Sequence, residues 1–419
     1  MDNSQNSRRN FLKLSAASMA VAGTSNVTLG VNTESAAKHK KLDITSEVDV
    51  LVVGGGTAGT IAAIQAGRSG AKTLLVERHS QLGGAMTTGG VAFPGLFDAW
   101  GKQVIGGVGW ELVKESVELD GGKMPDFSKV PRKHYMNQVH INQFLYSLLA
   151  EEKCEKAGVQ IAYYEFPQAV TKTDEGWTVD CVGFGTKRQV KCKQVIDCTG
   201  GAEVVGLMGY ERLRGHETQP GSYLFSIGKE HNPAEKQLHR LYVHGADSTN
   251  SRTVTEANLT GRKSILERVR KGKKRLMHLQ PETGFRESYR IVGETVISVN
   301  DYTSGKVFKD AVGYAFYPVD LHTKSGVKPK PLKPGIVPTI PLSALIPKNS
   351  HNVMVAGRCI SSDRLANSAL RVQAACMSMA QASGVTAALA AKKNTTPLKV
   401  SIDEIRKEIS AHKGIVPKV

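Results

Sequence analysis

Val48-Asp49-Val50-Leu51-Val52-Val53 runs directly into Gly54-Gly55-Gly56-Thr57-Ala58-Gly59, and this junction decides the fold. The residues before the glycines are almost continuously apolar, as a parallel strand buried on both faces should be. Residues 61–70 then read as a helix with Ala and Ile toward a sheet, and Lys72-Thr73-Leu74-Leu75-Val76 reads as a second strand ending at Glu77. Gly54, Gly56 and Gly59 satisfy the spacing G-x-G-x-x-G. Gly54 permits a tight turn, Gly56 lets the main chain approach a pyrophosphate, and Gly59 lets helix and strand pack closely. Thr57 and Ala58 open the helix, whose free N–H groups and positive dipole end face the phosphates. Glu77, eighteen positions after Gly59, is placed to accept from ribose hydroxyls. Strand, glycines, helix, strand and acid in this order predict an α/β dinucleotide-binding fold of the Rossmann type, built on a parallel sheet.

The chain continues Arg78-His79-Ser80-Gln81-Leu82-Gly83-Gly84-Ala85, with a glycine pair soon after the acid. Residues 159–164, 168–172, 177–182 and 188–191 read as short strands, and Asp174-Glu175-Gly176 as a tight hairpin turn. They predict a small antiparallel meander that feeds Gln194-Val195-Ile196-Asp197-Cys198-Thr199-Gly200, a strand closing on a Thr-Gly turn. Near the C-terminus, Asn352-Val353-Met354-Val355-Ala356-Gly357-Arg358 is another apolar strand ending on glycine. Residues 365–391, rich in Ala, Ser, Met, Val and Leu and without Pro, read as one long buried helix. No second G-x-G-x-x-G follows, which argues against a separate NAD(P) domain.

Taken together these segments resemble the FAD-dependent oxidoreductase family, of the glutathione-reductase-like superfamily and its fumarate-reductase-like branch. The resemblance covers most of residues 46–392. Its most specific carriers are Arg286-Glu287-Ser288-Tyr289-Arg290-Ile291-Val292-Gly293-Glu294, Tyr317-Pro318-Val319-Asp320-Leu321-His322, and Leu370-Arg371-Val372 at the opening of the final helix. It implies FAD as cofactor, with the glycine pair beside the ribityl-diphosphate and the meander returning the chain to the sheet. It also implies that the N-terminus of the final helix points at the pyrimidine end of the isoalloxazine, where its dipole stabilises the reduced anion. The cofactor-binding positions expected on this basis are Gly54, Gly56, Thr57, Ala58, Gly59, Glu77, Arg78, Gly83, Gly84, Ala85, Val170, Thr199, Gly200, Gly357, Arg358, Leu370, Arg371 and Val372.

At 419 residues the chain exceeds the usual single core, so two lobes are expected. Residues 46–90, 136–210 and 341–395 are assigned to the FAD-binding domain. Residues 91–135 and 211–340 are assigned to an inserted α+β substrate domain closing over the flavin, and 396–419 to a C-terminal tail. Residues 1–45 read as signal and linker. Within them, Ser7-Arg8-Arg9-Asn10-Phe11-Leu12-Lys13 and the weakly apolar run that follows resemble a twin-arginine export signal, too short to span a bilayer. That route carries folded proteins, so it implies a periplasmic protein already loaded with its cofactor.

Hydrophobic residues at 40% and charged residues at 22% are ordinary for a globular protein. A formal net charge of +17 is not, and implies attraction to anionic partners or surfaces. Residues 261–275 (GRKSILERVRKGKKR) concentrate that charge on an amphipathic stretch, read as a solvated helix face or as a contact with an anionic surface. It lacks aromatic interleaving, so nucleic acid is not expected. The six cysteines are scattered and form no C-x-x-C, so neither a disulfide framework nor a metal site is expected.

In this family the cofactor carries the redox chemistry and protein groups orient the substrate and move protons. His322 is the leading acid–base candidate, because an imidazole titrates near neutrality. Arg286, Arg290 and Arg371 are candidates to grip a carboxylate or position hydroxyls, with ion pairs to Glu287 or Glu294 as the competing role for the first two. Arg358 and Asp363 are lesser candidates, with an ion pair in the connecting loop as the competing role. Tyr, Phe and Met residues across the insertions read as core. The expected activity is a dehydrogenase passing a hydride from a small hydroxylated extracytoplasmic molecule to flavin N5, with a separate electron acceptor. The alternatives are a reductase of an activated C=C bond and a flavin electron-transfer protein without its own substrate.

Overall fold

The run that opens the fingerprint is the second half of a long strand, β1 (Leu42–Val53). The computed structural model describes residues 42–131, 134–229, 232–272 and 275–419. The export signal and the linker up to residue 41 therefore lie outside the described residues. Residues 42–45, expected to be linker, are the start of β1, because they pair with residues 186–189 of a neighbouring strand.

β1 turns through the glycines into α1 (Thr57–Arg68) and returns as β2 (Thr73–Glu77). After α2 (Gly107–Leu119) and α3 (Gln143–Lys156) come β3 (Gln160–Tyr163), β4 (Phe166–Lys172), β5 (Trp177–Gly183) and β6 (Thr186–Asp197). An inserted layer follows: β7 (Gly221–Lys229), β8 (Asn232–Val243), α4 (Ser251–Gly272) and β9 (Arg275–Leu279). The chain then returns through β10 (Val353–Val355), α5 (Arg364–Leu370), α6 (Gln373–Lys392) and α7 (Ile402–Ala411).

The main sheet has seven strands in the order β3-β2-β1-β6-β5-β4, with β10 also on β6. β3, β2, β1, β6 and β10 are parallel. β6 is shared: residues 186–192 border β5 in the antiparallel meander, and residues 195–197 border β10. Two expectations are corrected here. The strand at 159–164 belongs to the parallel sheet and not to the meander, since it pairs with β2. The segments at 188–191 and 194–198 are one strand, because β1 pairs with both in a single register, from Leu42–Thr186 to Val53–Asp197.

Alternation along β1 shows why both faces of this sheet are covered. Val50 and Val52 enter the main core with α1 and α6, while Leu51 and Val53 enter a second core beneath the meander. The helix expected over 365–391 is two helices. Val372 is extended (φ −66°, ψ 140°) and caps α6, and Ala374 N donates to Pro94 O outside the helix. No Gly or Pro marks this break, so local propensity gives no warning of it. α6 has the length and apolar composition of a membrane span, yet 89% of that window is buried inside the protein.

Residues 91–135 do not stand apart as a substrate lobe. Phe97, Ile105, Val108, Leu112 and Val113 are part of the main core. Residues 396–419 are no free tail either, since Ile405 and Ile409 of α7 join the same core. The insertion does carry its own hydrophobic centre, Tyr223, Phe225, Ile227, Leu241, Val243, Ala257 and Ile265 between β7–β9 and α4. Its later part, around Val312, Val319 and Ile340, packs back into the main core. All six cysteines are buried and unpaired.

Candidate active site

Parallel strands end together where their loops can share a ligand. Val53 of β1 and Val355 of β10 both pair with Asp197 of β6, so three loops leave the sheet at one level. They enclose a cleft of about 1170 Å³, open mouth included. It runs from Glu77, Arg78, Phe166 and Pro167 at one end, past Gly54, Gly56, Thr57 and Ala58, to Gly357, Arg358, Arg371 and Gln373 at the other. Thr199, Gly200 and residues 282–285 form a further wall.

Each loop is tied down by its own side chains. Glu77 is buried, and its carboxylate accepts from Gly55 N at 2.6 Å and from His79 N at 2.8 Å. The carboxylate therefore shapes the glycine turn, and Glu77 is itself part of the cleft's lining. Asp197 accepts from Thr199 N at 3.0 Å, Thr199 Oγ1 at 2.7 Å and Val205 N at 3.0 Å, which closes the turn after β6. Burial still pushes its carboxyl above the ordinary range. The Thr57 hydroxyl lies 2.9 Å from Gln373 Oε1, and Gln373 Nε2 donates to Val91 O at 2.7 Å. These contacts tie the first turn of α1 to the first turn of α6.

The expected cofactor positions divide by what they do. Gly54, Gly56, Thr57, Ala58, Glu77, Arg78, Gly84, Ala85, Thr199, Gly200, Gly357, Arg358 and Arg371 all line the cleft. Gly59 is a packing residue, since a Cβ there would lie 1.7 Å from Gly54 O. Gly83 is also outside the lining. It adopts φ +103°, and its N–H donates to Gly55 O at 2.8 Å, so the glycine pair docks one loop on the other. A Cβ on Gly84 would approach Gly56 Cα to 2.8 Å, which explains the second glycine of the pair. Three further expected positions lie outside the lining. Val170 packs beneath the meander, because β4 carries it ~10 Å beyond Pro167, the residue that reaches the cleft. Leu370 is fully buried in the main core. Val372 turns its side chain toward Gly95.

Whether this cleft fits FAD can be tested on its walls. A Cβ on Gly56 would meet no protein atom closer than Gly84 Cα at 4.0 Å, so space is kept there for something other than the protein. Arg358 is half-buried and donates to Phe285 O, with no carboxylate paired to it among the described residues. Burial pulls its guanidinium below the ordinary range, as an anion in the cleft would reverse. Arg371 Nε and Thr283 Oγ1, both on lining residues, are buried without a partner among the described residues. The residues fit the cofactor.

Arg371 also leads out of the cleft into a second cluster. Its Nη2 donates to Asp320 O at 3.2 Å and lies 3.4 Å from Gln219 Oε1. Gln219 Oε1 accepts from His322 N at 3.0 Å. His322 Nε2 lies 3.0 Å from Asp320 Oδ2, and its Nδ1 lies 3.2 Å from Tyr242 Oη. Arg286 lies over the Tyr242 ring at 5.4 Å and donates to Ser222 Oγ at 2.8 Å. Burial, with Arg371 nearby, pushes the Arg286 guanidinium down to about 9. The structure thus brings His322, Arg371 and Arg286 together.

It does not bring Arg290 with them. Arg290 is buried and donates from Nε to Ser362 O at 3.0 Å, holding a loop. The expected ion pairs are also redistributed. Glu287 pairs with Arg364 at 2.7 Å, and Glu294 accepts from Asn349 N at 2.7 Å. Asp363 caps α5 through Ala366 N at 2.7 Å and is not paired with Arg358. Gln219, Tyr242 and Gln373 were not expected from the sequence. Gln373 adjoins Leu370-Arg371-Val372 and was within reach of that motif, whereas Gln219 and Tyr242 carry no local signal.

Residues 49–271 and 223–409 match the family described as FAD dependent oxidoreductase, and the chain belongs to that family. It is accordingly an enzyme, and its cofactor is FAD. Its relatives differ in chemistry. It is 48% identical over 50 residues to a thiamine thiazole synthase of Methanococcus vannielii, covering 12% of this chain and 19% of that protein. It is 27% identical over 163 residues to digeranylgeranylglycerophospholipid reductase 1 of Methanothermobacter thermautotrophicus, covering 37% and 39% respectively. It is 40% identical over 87 residues to a pseudooxynicotine dehydrogenase of Pseudomonas sp, covering 20% and 18%. The chain thus spans well under half the length of these curated relatives. Among solved structures, a geranylgeranyl bacteriochlorophyll reductase-like protein of Thermoplasma acidophilum matches with a TM-score of 0.46 and 15% identity, over 88% of this chain and 84% of that one.

Proposed function

We propose that this FAD-dependent oxidoreductase is a dehydrogenase of a small hydroxylated molecule. The carrying observation is Arg371, which lines the cofactor cleft and at the same time holds the loop bearing Asp320 and His322. Asp320 and His322, which stand behind the cleft's lining, are thereby tied to a residue that forms part of it, and oxidation of an alcohol calls for such a proton-handling pair. FAD, when bound, takes up a hydrogen and an electron pair from the substrate carbon. The protein supplies the rest. His322 is buried, and burial with Arg286 and Arg371 holds its imidazole below the ordinary range against the opposing pull of Asp320. It is therefore neutral near pH 7 and able to take a proton.

A second reading is favoured by the excess of cations. Arg286, Arg371 and Arg240 gather around Asp320, while Glu287, which also acts on Arg371, is already paired with Arg364, and such a site would also grip an unsaturated acid for reduction. Dehydrogenase and reductase relatives are both represented among the similar proteins.

The twin-arginine-like stretch supports export to the periplasm, which would make the electron acceptor a separate molecule. α4 supports contact with an anionic surface, since it exposes Leu259 and Leu266 at helical spacing among Arg262, Lys263, Arg270 and Lys271. The test is steady-state turnover with artificial dyes. Reduction of an oxidised dye by a sugar, polyol or hydroxy acid supports the dehydrogenase. Oxidation of a reduced dye only by an unsaturated acid replaces it with the reductase.

A further inference from the structure

The geometry points to Tyr242 Oη as the atom that takes the substrate's hydroxyl proton, with His322 as the base behind it and Asp320 positioning that base. This rests on the dehydrogenase reading and names the residue that acts in it. A carboxylate can only accept, so the contact of His322 Nε2 with Asp320 Oδ2 at 3.0 Å places the ring hydrogen on Nε2. Asp320 is ionised: burial pushes its carboxyl up, but the His322 contact and the nearby Arg371 and Arg286 hold it below the ordinary range. Nδ1 is then a lone pair, and the 3.2 Å contact with Tyr242 is an O–H donated by the phenol.

Both ring nitrogens are therefore engaged, and the imidazole is buried. No atom of it is left for a substrate. Tyr242 is different: it is half-buried, and its oxygen keeps lone pairs after donating its hydrogen. The sheet fixes its place. Tyr242 stands opposite Ser222 in the β7–β8 ladder, and Ser222 Oγ accepts from Arg286 Nη2 at 2.8 Å. Arg286 is thus held over the Tyr242 ring, where its charge favours electron density growing on the phenol oxygen.

FAD, when bound, would supply the acceptor for the carbinol hydrogen and its electron pair, which leaves the carbon–oxygen bond a carbonyl. The hydroxyl proton passes to Tyr242 Oη while the phenol's own hydrogen passes to His322 Nδ1. Tyrosine ends neutral, and the imidazolium is paired with Asp320. The other charged or titratable groups around this relay are Tyr317, Arg371, Arg286, Arg240 and His244.

The test compares wild-type holoenzyme with Tyr242→Phe, His322→Gln and the double variant, using whichever hydroxylated compound turns over. Each single variant is expected to retain FAD and to lose about 10²–10⁴-fold in kcat. Each should also lose the acidic limb of kcat/KM, which in wild type lies below about pH 6.5. The double variant should fall no further than the worse single one, because the two residues act as a unit. Independently of activity, ¹⁵N NMR of His322 should show the Nε2–H tautomer with Nδ1 accepting, and that acceptor signal should be lost in Tyr242→Phe. Additive losses, an unchanged limb in Tyr242→Phe, or an Nδ1–H tautomer in wild type would each overturn the relay. If wild type oxidises no hydroxylated compound, the dehydrogenase reading itself falls and the relay with it.

Discussion

Gly59 stands so close to Gly54 that a Cβ on the first would lie 1.7 Å from the carbonyl oxygen of the second. Gly56, in the same motif, has no such neighbour, its nearest being Gly84 Cα at 4.0 Å. Its backbone is also ordinary, with φ −66°. The fold therefore requires glycine at position 59, whereas nothing among the described residues requires it at position 56.

Gly59→Ala should destabilise the protein itself by about 1–3 kcal/mol through overpacking. Gly56→Ala should leave the apoprotein within about 0.5 kcal/mol of wild type yet weaken FAD by ~10-fold or more, the cost of a methyl group meeting the ligand. Apoprotein melting and FAD titration separate the two. Equal loss of apoprotein stability in both variants would remove the reason to place FAD against Gly56.

Arg358 offers a test of the opposite sign. A half-buried cation without a carboxylate is a cost to the empty protein, relieved only by an anionic ligand. Arg358→Met should leave apoprotein stability within about 1 kcal/mol of wild type, the worth of its hydrogen bond to Phe285 O. FAD affinity should drop by more than ~10-fold. Urea unfolding of the apoprotein, set beside FAD titration, checks both. An apoprotein that unfolds much earlier while binding FAD normally would make Arg358 a structural residue.

The carboxylate beneath the imidazole can be tested without changing its shape. Asp320→Asn presents an amide donor to His322 Nε2, which moves the ring hydrogen to Nδ1 and faces it at Tyr242. By analogy with other histidines held by a carboxylate, kcat should fall about 10²–10⁴-fold with KM little changed. A dominant rise in KM would instead assign Asp320, with its neighbour Arg371 at 3.7 Å, to substrate binding.

A further prediction concerns stability alone. Glu111 joins α2 to α1 through Arg68 at 2.8 Å and to α3 through Lys153 at 2.9 Å. Its hydrogen bond to Arg68, reinforced by Lys153, holds its carboxyl down at about 2 against an ordinary 4.5. A depressed folded-state value means stability fully present above the unfolded value and lost as pH falls through the folded one. Because Glu111 is 41% exposed, the gain at neutral pH should not exceed about 1 kcal/mol. The difference in melting temperature between wild type and Glu111→Gln should be present at pH 6 and vanish as pH approaches 2. A difference independent of pH would rule out the ion pair as its source.

What could be read from the sequence was what the chain writes locally. The β1–glycine–α1–β2 unit, the turn at Thr199-Gly200 and the strand before Gly357 each lie within a few consecutive residues, so turn chemistry and periodicity marked them. The break at Val372 was hidden because its cause is Pro94, far away in sequence, which takes the N–H of Ala374. Arg290 carried the same motif as Arg286, and only the fold separates them, sending one to Ser362 O and the other to Tyr242. Tyr242 had no motif at all. Its role comes from a strand pairing with Ser222 and from a histidine 80 positions later.

Whether an alcohol is oxidised at this cleft is tested most directly by anaerobic mixing of FAD-loaded protein with sugars, polyols and hydroxy acids. Bleaching of the flavin absorbance by one of these classes, without any added electron donor, is the result predicted here. A flavin that stays oxidised with all of them, but once chemically reduced is reoxidised by an unsaturated acid, would contradict the claim and establish the reverse reaction.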